Sequence, residues 1–148
     1  TILPMAKLQK KGRSVTLYIS AKHILKTSIV YAMISVLCIA IDNVYALFGH
    51  GVRSFSMTWM FMYPLVGGTL FFMIIGIFLV NKKVNSKYRL FYNLHNSGIA
   101  FLTTGSLFKG IIEIAGTTSF FTSIFFFSGI MFIVSGIIVL VSCLIRNK

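Results

Sequence analysis

The sequence predicts an all-α polytopic membrane protein, a four-transmembrane-helix bundle with both termini on the cytoplasmic side. Four apolar runs are each long enough to cross a bilayer. Charge is scarce, at 11% of residues against 57% apolar. The positive charge falls between the runs, almost wholly on one side of them. Soluble domains carry roughly 25% charged residues, and a watery surface of the present composition would aggregate. With 148 residues the chain makes one domain at most.

Residues 1–26 form a basic juxtamembrane segment. No cleavable signal peptide is evident, because the first apolar run begins only near Thr27. Met5-Ala6-Lys7 has the look of a translation start, with Thr1 to Pro4 upstream of it. Val15, Leu17 and Ile19 alternate, and Lys22 and His23 follow. This reads as a segment lying on anionic headgroups, at about 1 kcal/mol per basic residue. Docking to a cytoplasmic partner is the alternative.

Residues 27–148 form the transmembrane domain, with spans at about 27–48, 56–80, 90–115 and 120–145. Each covers the roughly 20 residues that about 30 Å of hydrocarbon requires. Lipid leaves no partner for an open strand's backbone, so the spans must be helices. Lys7, Lys10, Lys11, Arg13, Lys22 and Lys26 precede the first span. Lys82, Lys83, Lys87 and Arg89 separate the second from the third, and Arg146 and Lys148 follow the fourth. The opposite loops, around 50–55 and 116–119, hold only Arg53. Basic residues mark the cytoplasmic side, so both termini are expected inside. The same bias excludes an antiparallel dimer, which needs both orientations to insert.

In the first span Ser28, Tyr31, Ser35, Cys38, Asp42 and Tyr45 recur every three or four residues, on one face. In the third, Tyr92, Asn96, Thr103, Ser106, Gly110 and Glu113 share an arc, flanked by His95 and Lys109. Polar groups facing lipid are costly, so these stripes should face each other or a cavity. They define a candidate polar pathway of Ser35, Tyr45, His95, Asn96, Thr103 and Ser106. Interhelical hydrogen bonding is the plainer use for the same residues.

The second span carries Pro64, Gly67 and Gly68, a candidate hinge. In the fourth, Ser128-Gly129, Ser135-Gly136 and Ser142-Cys143 recur every seven residues and make a packing groove. The groove's partner is either the first span or a helix of another subunit.

The charges not on the basic side, Asp42, Arg53, Lys109 and Glu113, gather with His50 near one end. They make a charge-neutral plug, a ligand or ion site, or a proton relay using Asp42 or Glu113. Lys109 and Glu113 can pair along the helix. Asp42 can pair with Arg53 or with Lys109. Lys109, Glu113 and Asp42 are expected to meet between the first and third spans.

No catalytic residues are assigned. His23, His50 and His95 fall at different depths and cannot share a metal or haem. Met57, Met60 and Met62 do not share one face as a copper(I) site needs. No cofactor, no metal and no nucleic acid is expected. The partners expected are membrane lipids and other membrane subunits or further copies of the chain. The sequence thus suggests a small non-catalytic accessory or interaction subunit in a bacterial plasma membrane. The alternatives are a small transporter or channel, as a parallel homo-oligomer, and an outer-leaflet sensor of a lipid or peptide ligand.

Overall fold

The computed structural model describes residues 17–18, 21–79, 83–84 and 87–145. Their order is β1 (Leu17–Tyr18), α1 (Ala21–Phe48), α2 (Phe55–Thr58), a π-helical stretch (Tyr63–Leu70), α3 (Phe71–Leu79), β2 (Lys83–Val84), α4 (Lys87–Ile114) and α5 (Phe121–Ile145). Among the described residues these make four helical segments, α1, α2 through α3, α4 and α5, with one two-residue strand pair beside them. Leu17 opposes Val84 and Tyr18 opposes Lys83, antiparallel. This pair ties the approach to α1 to the α3–α4 connection. The alternation at Val15 and Ile19, and most of the basic segment before Lys22, lie outside the described residues.

Three helical segments, Lys22–Phe48, Phe55–Phe78 and Phe121–Ile145, are long and apolar enough to cross a membrane. α4 has the length, 28 residues, but Asn93, His95, Asn96, Lys109 and Glu113 make it more polar than the others. α1 begins at Ala21, ahead of the predicted start at Thr27. Its first turns, Ala-Lys-His-Ile-Leu-Lys, are mostly good helix formers and continue the apolar helix backwards.

The second span is not the single helix predicted. A proline's ring collides with the carbonyl four residues before it, here that of Met60, and offers no N–H. The chain accordingly turns tightly over residues 59–62, with Met62 N–H donating to Trp59 O and Tyr63 N–H to Met60 O. It then enters the π-helical stretch with Pro64 in its first turn, where a missing donor costs nothing.

The helices pack in sequence. α1 lies on the π-helical stretch and α3, that segment lies on α4, and α4 runs along α5. The glycine pair permits the central approach. A Cβ on Gly68 would stand 2.2 Å from Tyr31 Cγ of α1, and one on Gly67 would stand 3.3 Å from Ile99 of α4. The core around it holds Ile24, Tyr31, Phe72, Ile75, Phe91 and Ile99.

α4 and α5 meet through glycines as well. A Cβ on Gly98 would stand 2.8 Å from Gly129 O, and one on Gly136 would stand 3.3 Å from His95 N. Gly105 receives Phe125. The small-residue groove of α5 therefore holds α4 of the same chain, and the first span is not its partner. Of the predicted groove residues, Gly129 and Gly136 are buried, Ser128 and Ser135 are half-buried, and Ser142 is exposed.

If the Gly68–Tyr31 contact governs this packing, Gly68→Ala should destabilise the fold by about 1–3 kcal/mol, the usual cost of overpacking. Tyr31→Ala should recover part of that loss in the double variant. Thermal melts in detergent check this, and equal melting of Gly68→Ala and wild type would remove the contact from its central place.

Candidate functional site

The inward face of α1 carries Ser28, Tyr31, Ser35, Cys38 and Asp42, all buried. Tyr45, on the same sequence period, turns outward. Most of these polar groups meet partners in the chain. Tyr31 OH donates to Asn96 Oδ1 of α4 at 2.7 Å. Thr27 donates to His23 O, which leaves its Oγ1 to accept from Tyr92 OH at 3.1 Å. Ser35 donates back to Tyr31 O and Thr103 to Ile99 O, each within its own helix. Thr69 Oγ1 donates to Ser28 O.

His95 is 2% exposed. Its Nε2–H donates to Gly67 O at 2.8 Å, and its ring stacks on Phe71 with centroids 4.1 Å apart. Phe72 and Phe91 close around it. Among the described residues its Nδ1 has no partner, nor has Ser28 Oγ. The expected polar pathway is interrupted, because buried Ile99 and Leu102 lie between Asn96 and Ser106. Among the described residues Tyr31, His95 and Ser106 fasten neighbouring helices, while Ser35 and Thr103 bond within their own.

The chain's two acids both engage the segment that connects α1 to the second span. Glu113 accepts from Ser54 Oγ on one oxygen, and from Ser56 Oγ at 2.9 Å on the other. Ser54 also caps α2, accepting from Met57 N–H. Asp42 accepts from Arg53 Nη1 and from Thr58 Oγ1, both at 3.2 Å. Arg53 Nη2 donates to Asn43 Oδ1. Gly110 gives the segment room, since a Cβ there would stand 2.6 Å from Met57 Cβ.

The expected convergence of Lys109, Glu113 and Asp42 is therefore corrected. α2 enters between α1 and α4 at this end, so each acid bonds to α2 and its approach, and the two do not meet. Asp42 takes Arg53 as its partner. Lys109 sits one turn from Glu113, 3.8 Å between Nζ and Oε1, with both side chains more than a third exposed. Such pairs contribute about 0–1 kcal/mol, whereas hydrogen bonds to a charged group give about 1.5–3 kcal/mol. The serine hydroxyls, more than the lysine, hold Glu113.

His50 does not join this group. It is exposed and takes φ +53° just beyond α1. Gly51 N–H donates to Ala46 O there, the closing bond of a Schellman cap. α4 ends the same way, with glycine at the equivalent place: Gly116 has φ +71°, and Thr117 N–H donates to Ile112 O. His50 thus serves as a backbone terminator. Pro64, Gly67 and Gly68, expected as a hinge, lie in the close-packed centre.

One opening lies beside the acid-held segment. A cleft of about 240 Å³ is lined by Phe55, Ser56, Trp59, Tyr63, Ser106, Lys109 and Phe126. Ser106 Oγ donates to Ser56 O at 2.6 Å across its base. Lys109 Nζ stands 5.9 Å from the Phe126 ring centre, and Tyr63 leans on the same ring. Among the described residues no group of three or more His, Cys, Asp or Glu is placed to hold a metal ion.

The sequence reading missed the hydroxyls of Ser54, Ser56 and Thr58. Their alternation in Ser-Phe-Ser-Met-Thr was visible, but no acid adjoins them in sequence. Comparison with known proteins finds no family model, no curated protein and no solved structure that matches this chain.

Two outcomes follow. Exchanging the pair in K109E/E113K keeps an i,i+4 ion pair but removes the acceptor from Ser54 and Ser56. It should destabilise the protein by about 1.5–3 kcal/mol in thermal melts, and an unchanged Tm would assign this end to the ion pair instead. His50→Gly should raise stability by about 1 kcal/mol, because a left-handed L-residue costs about 1–2 kcal/mol.

Proposed function

We propose that this chain is a non-catalytic, four-span integral membrane protein, N-in and C-in in a bacterial plasma membrane, that recognises a membrane ligand at its loop end. The distribution of exposure supports the membrane reading. Leu47, Phe48, Ile77 and Phe120 are each at least 80% exposed, while Asp42, His95 and Ser106 are each at most 6% exposed. Water favours the reverse arrangement, and lipid favours this one. α4 fits as the remaining span because its most polar central groups, His95 and Asn96, are turned to partners on neighbouring helices. Lys109 and Glu113 lie near its end, where a long cationic side chain can reach the interface.

The cleft carries the recognition reading, since there aromatic and polar side chains with a lysine face open space. A transporter needs a polar route, and Ile99 and Leu102 weigh against one. The accessory-subunit reading rests on the groove of α5, which α4 fills. The lipid-facing surface stays open to other subunits, though no feature of it singles out a partner.

Single cysteines in a C38A/C143A background test the topology. An impermeant maleimide should label Val52→Cys and Thr117→Cys in intact cells, and Arg89→Cys only after permeabilisation. Purified protein in liposomes should give no ion flux above empty liposomes. Labelling of Arg89→Cys in intact cells, or a flux lost in Asp42→Asn, would overturn the proposal.

A further inference from the structure

We infer that the cleft between α2, the π-helical stretch, α4 and α5 binds the anionic headgroup of a membrane lipid, with Lys109 as its cationic contact. The inference rests on the membrane-recognition reading above. Lys109 and Glu113 are adjacent, yet only the lysine lines the cleft. Glu113, though more than a third exposed, accepts from Ser54 and Ser56 on its two oxygens. The cleft therefore presents a cation whose neighbouring carboxylate is committed elsewhere. An ammonium has three donors, and the long contact to Glu113 engages at most one of them.

The remaining walls define what can carry the anion. Phe55 and Trp59 stand at the mouth, 77% and 47% exposed, and Tyr63 and Phe126 form the inner side. A small hydrophilic anion would gain nothing from these rings, while an anion on an apolar body would cover them. At about 240 Å³ the cleft is smaller than the roughly 300–1,000 Å³ of pockets that enclose whole ligands. It suits a headgroup and the first part of a chain whose remainder lies outside. Lys109 lies five residues before the end of α4 at Ile114, about 7.5 Å along the axis. A position within two turns of the helix end suits the headgroup boundary, where Trp and Tyr also concentrate.

Trp59 is the chain's single tryptophan, so its fluorescence reports the cleft directly. The full chain is reconstituted in zwitterionic bilayers containing a phosphatidylglycerol brominated high on one acyl chain, or the equally brominated phosphatidylcholine. The anionic lipid should quench Trp59 saturably, with a preference of about fivefold, the equivalent of about 1 kcal/mol for one basic contact. Lys109→Met should abolish the preference while leaving zwitterionic quenching and Tm unchanged, and Lys109→Arg should retain it. In wild type the preference should shrink as salt is raised, which tests the charge even if Lys109→Met does not fold.

Equal quenching by both lipids would overturn the inference. So would a preference that survives Lys109→Met, or one shown only by a free brominated fatty acid. Inorganic phosphate should not compete, and if it does the site is a plain anion site and the inference fails. If neither brominated lipid is preferred but an extract of the native membrane still shifts Trp59 emission, recognition stands and only the ligand class is lost. If nothing shifts it, both fail.

Discussion

The close approach of α1 and α4 to the second helical segment depends on the backbone of Gly67 and Gly68. Helices in lipid gain little from burying apolar surface against each other, because the solvent is equally apolar. Close backbone approach and interhelical hydrogen bonds must take that place. Gly68 lets the Tyr31 ring of α1 lie directly on the second helical segment, and Gly67 lets Ile99 of α4 do so from the other side. Two further bonds depend on this closeness. Tyr31 reaches past the glycine to Asn96, and His95 reaches the Gly67 carbonyl. A side chain at Gly68 would collide with the Tyr31 ring and push α1 outward, lengthening its bond to Asn96, whereas at Gly67 the Ile99 side chain would have to give by only a few tenths of an ångström. Pro64 opens the irregular stretch that carries both glycines, which as consecutive helical residues face different neighbours.

The interior polar groups then take on a different meaning from the one their number suggests. A row of serine, tyrosine, asparagine and histidine through a bundle resembles a path for ions or protons. Here the groups are used pairwise, Thr27 with Tyr92, Tyr31 with Asn96, His95 with Gly67 and Ser106 with Ser56. Such bonds average about 0.6 kcal/mol each in membranes. Four of them help hold helices in register, with the buried Ile99 and Leu102 packed among them. The α4–α5 interface is of the other kind. Gly98 and Gly105 on one helix and Gly129 and Gly136 on the other let phenylalanines interleave, with Phe101 stacked on Phe132.

What was legible in the sequence follows from these two kinds of interface. The inward face of α1 could be read because a helix repeats at about 100° per residue, and Ser28 to Asp42 obey that period. Tyr45 is still helical, but near the end of α1 Ala46 is the buried residue and Tyr45 is exposed. The heptad of α5 was visible, but its partner was not. Gly98 and Gly105 have the same seven-residue spacing, yet they lie on a helix whose polar residues draw more notice. Proline and the glycine pair announced an irregular second span, though the π geometry depends on how two neighbours press on it. The destinations of Asp42 and Glu113 were least legible. Asp42 lies on the inward face as the period implies and Glu113 at a more exposed edge, but the partners of both come from α2 and the loop before it, whose position is a tertiary outcome.

Those destinations bear on what the loop end can do. A chain with net charge +12 has only two acids, and both hold the same short segment. Arg53 and Thr58 bind it to α1 through Asp42, and Ser54 and Ser56 bind it to α4 through Glu113. A four-residue helix has no stability of its own, since nucleating a turn fixes several residues for one hydrogen bond. The carboxylates supply what α2 lacks. α2 and the turn after it contribute Phe55, Ser56 and Trp59 to the cleft, so the acids fix one wall of the cleft before any ligand arrives. A wall fixed in advance spares the ordering cost that a mobile loop would impose on binding. The acids therefore act on the cleft without lining it, and Lys109 is left as the charged side chain among its lining residues.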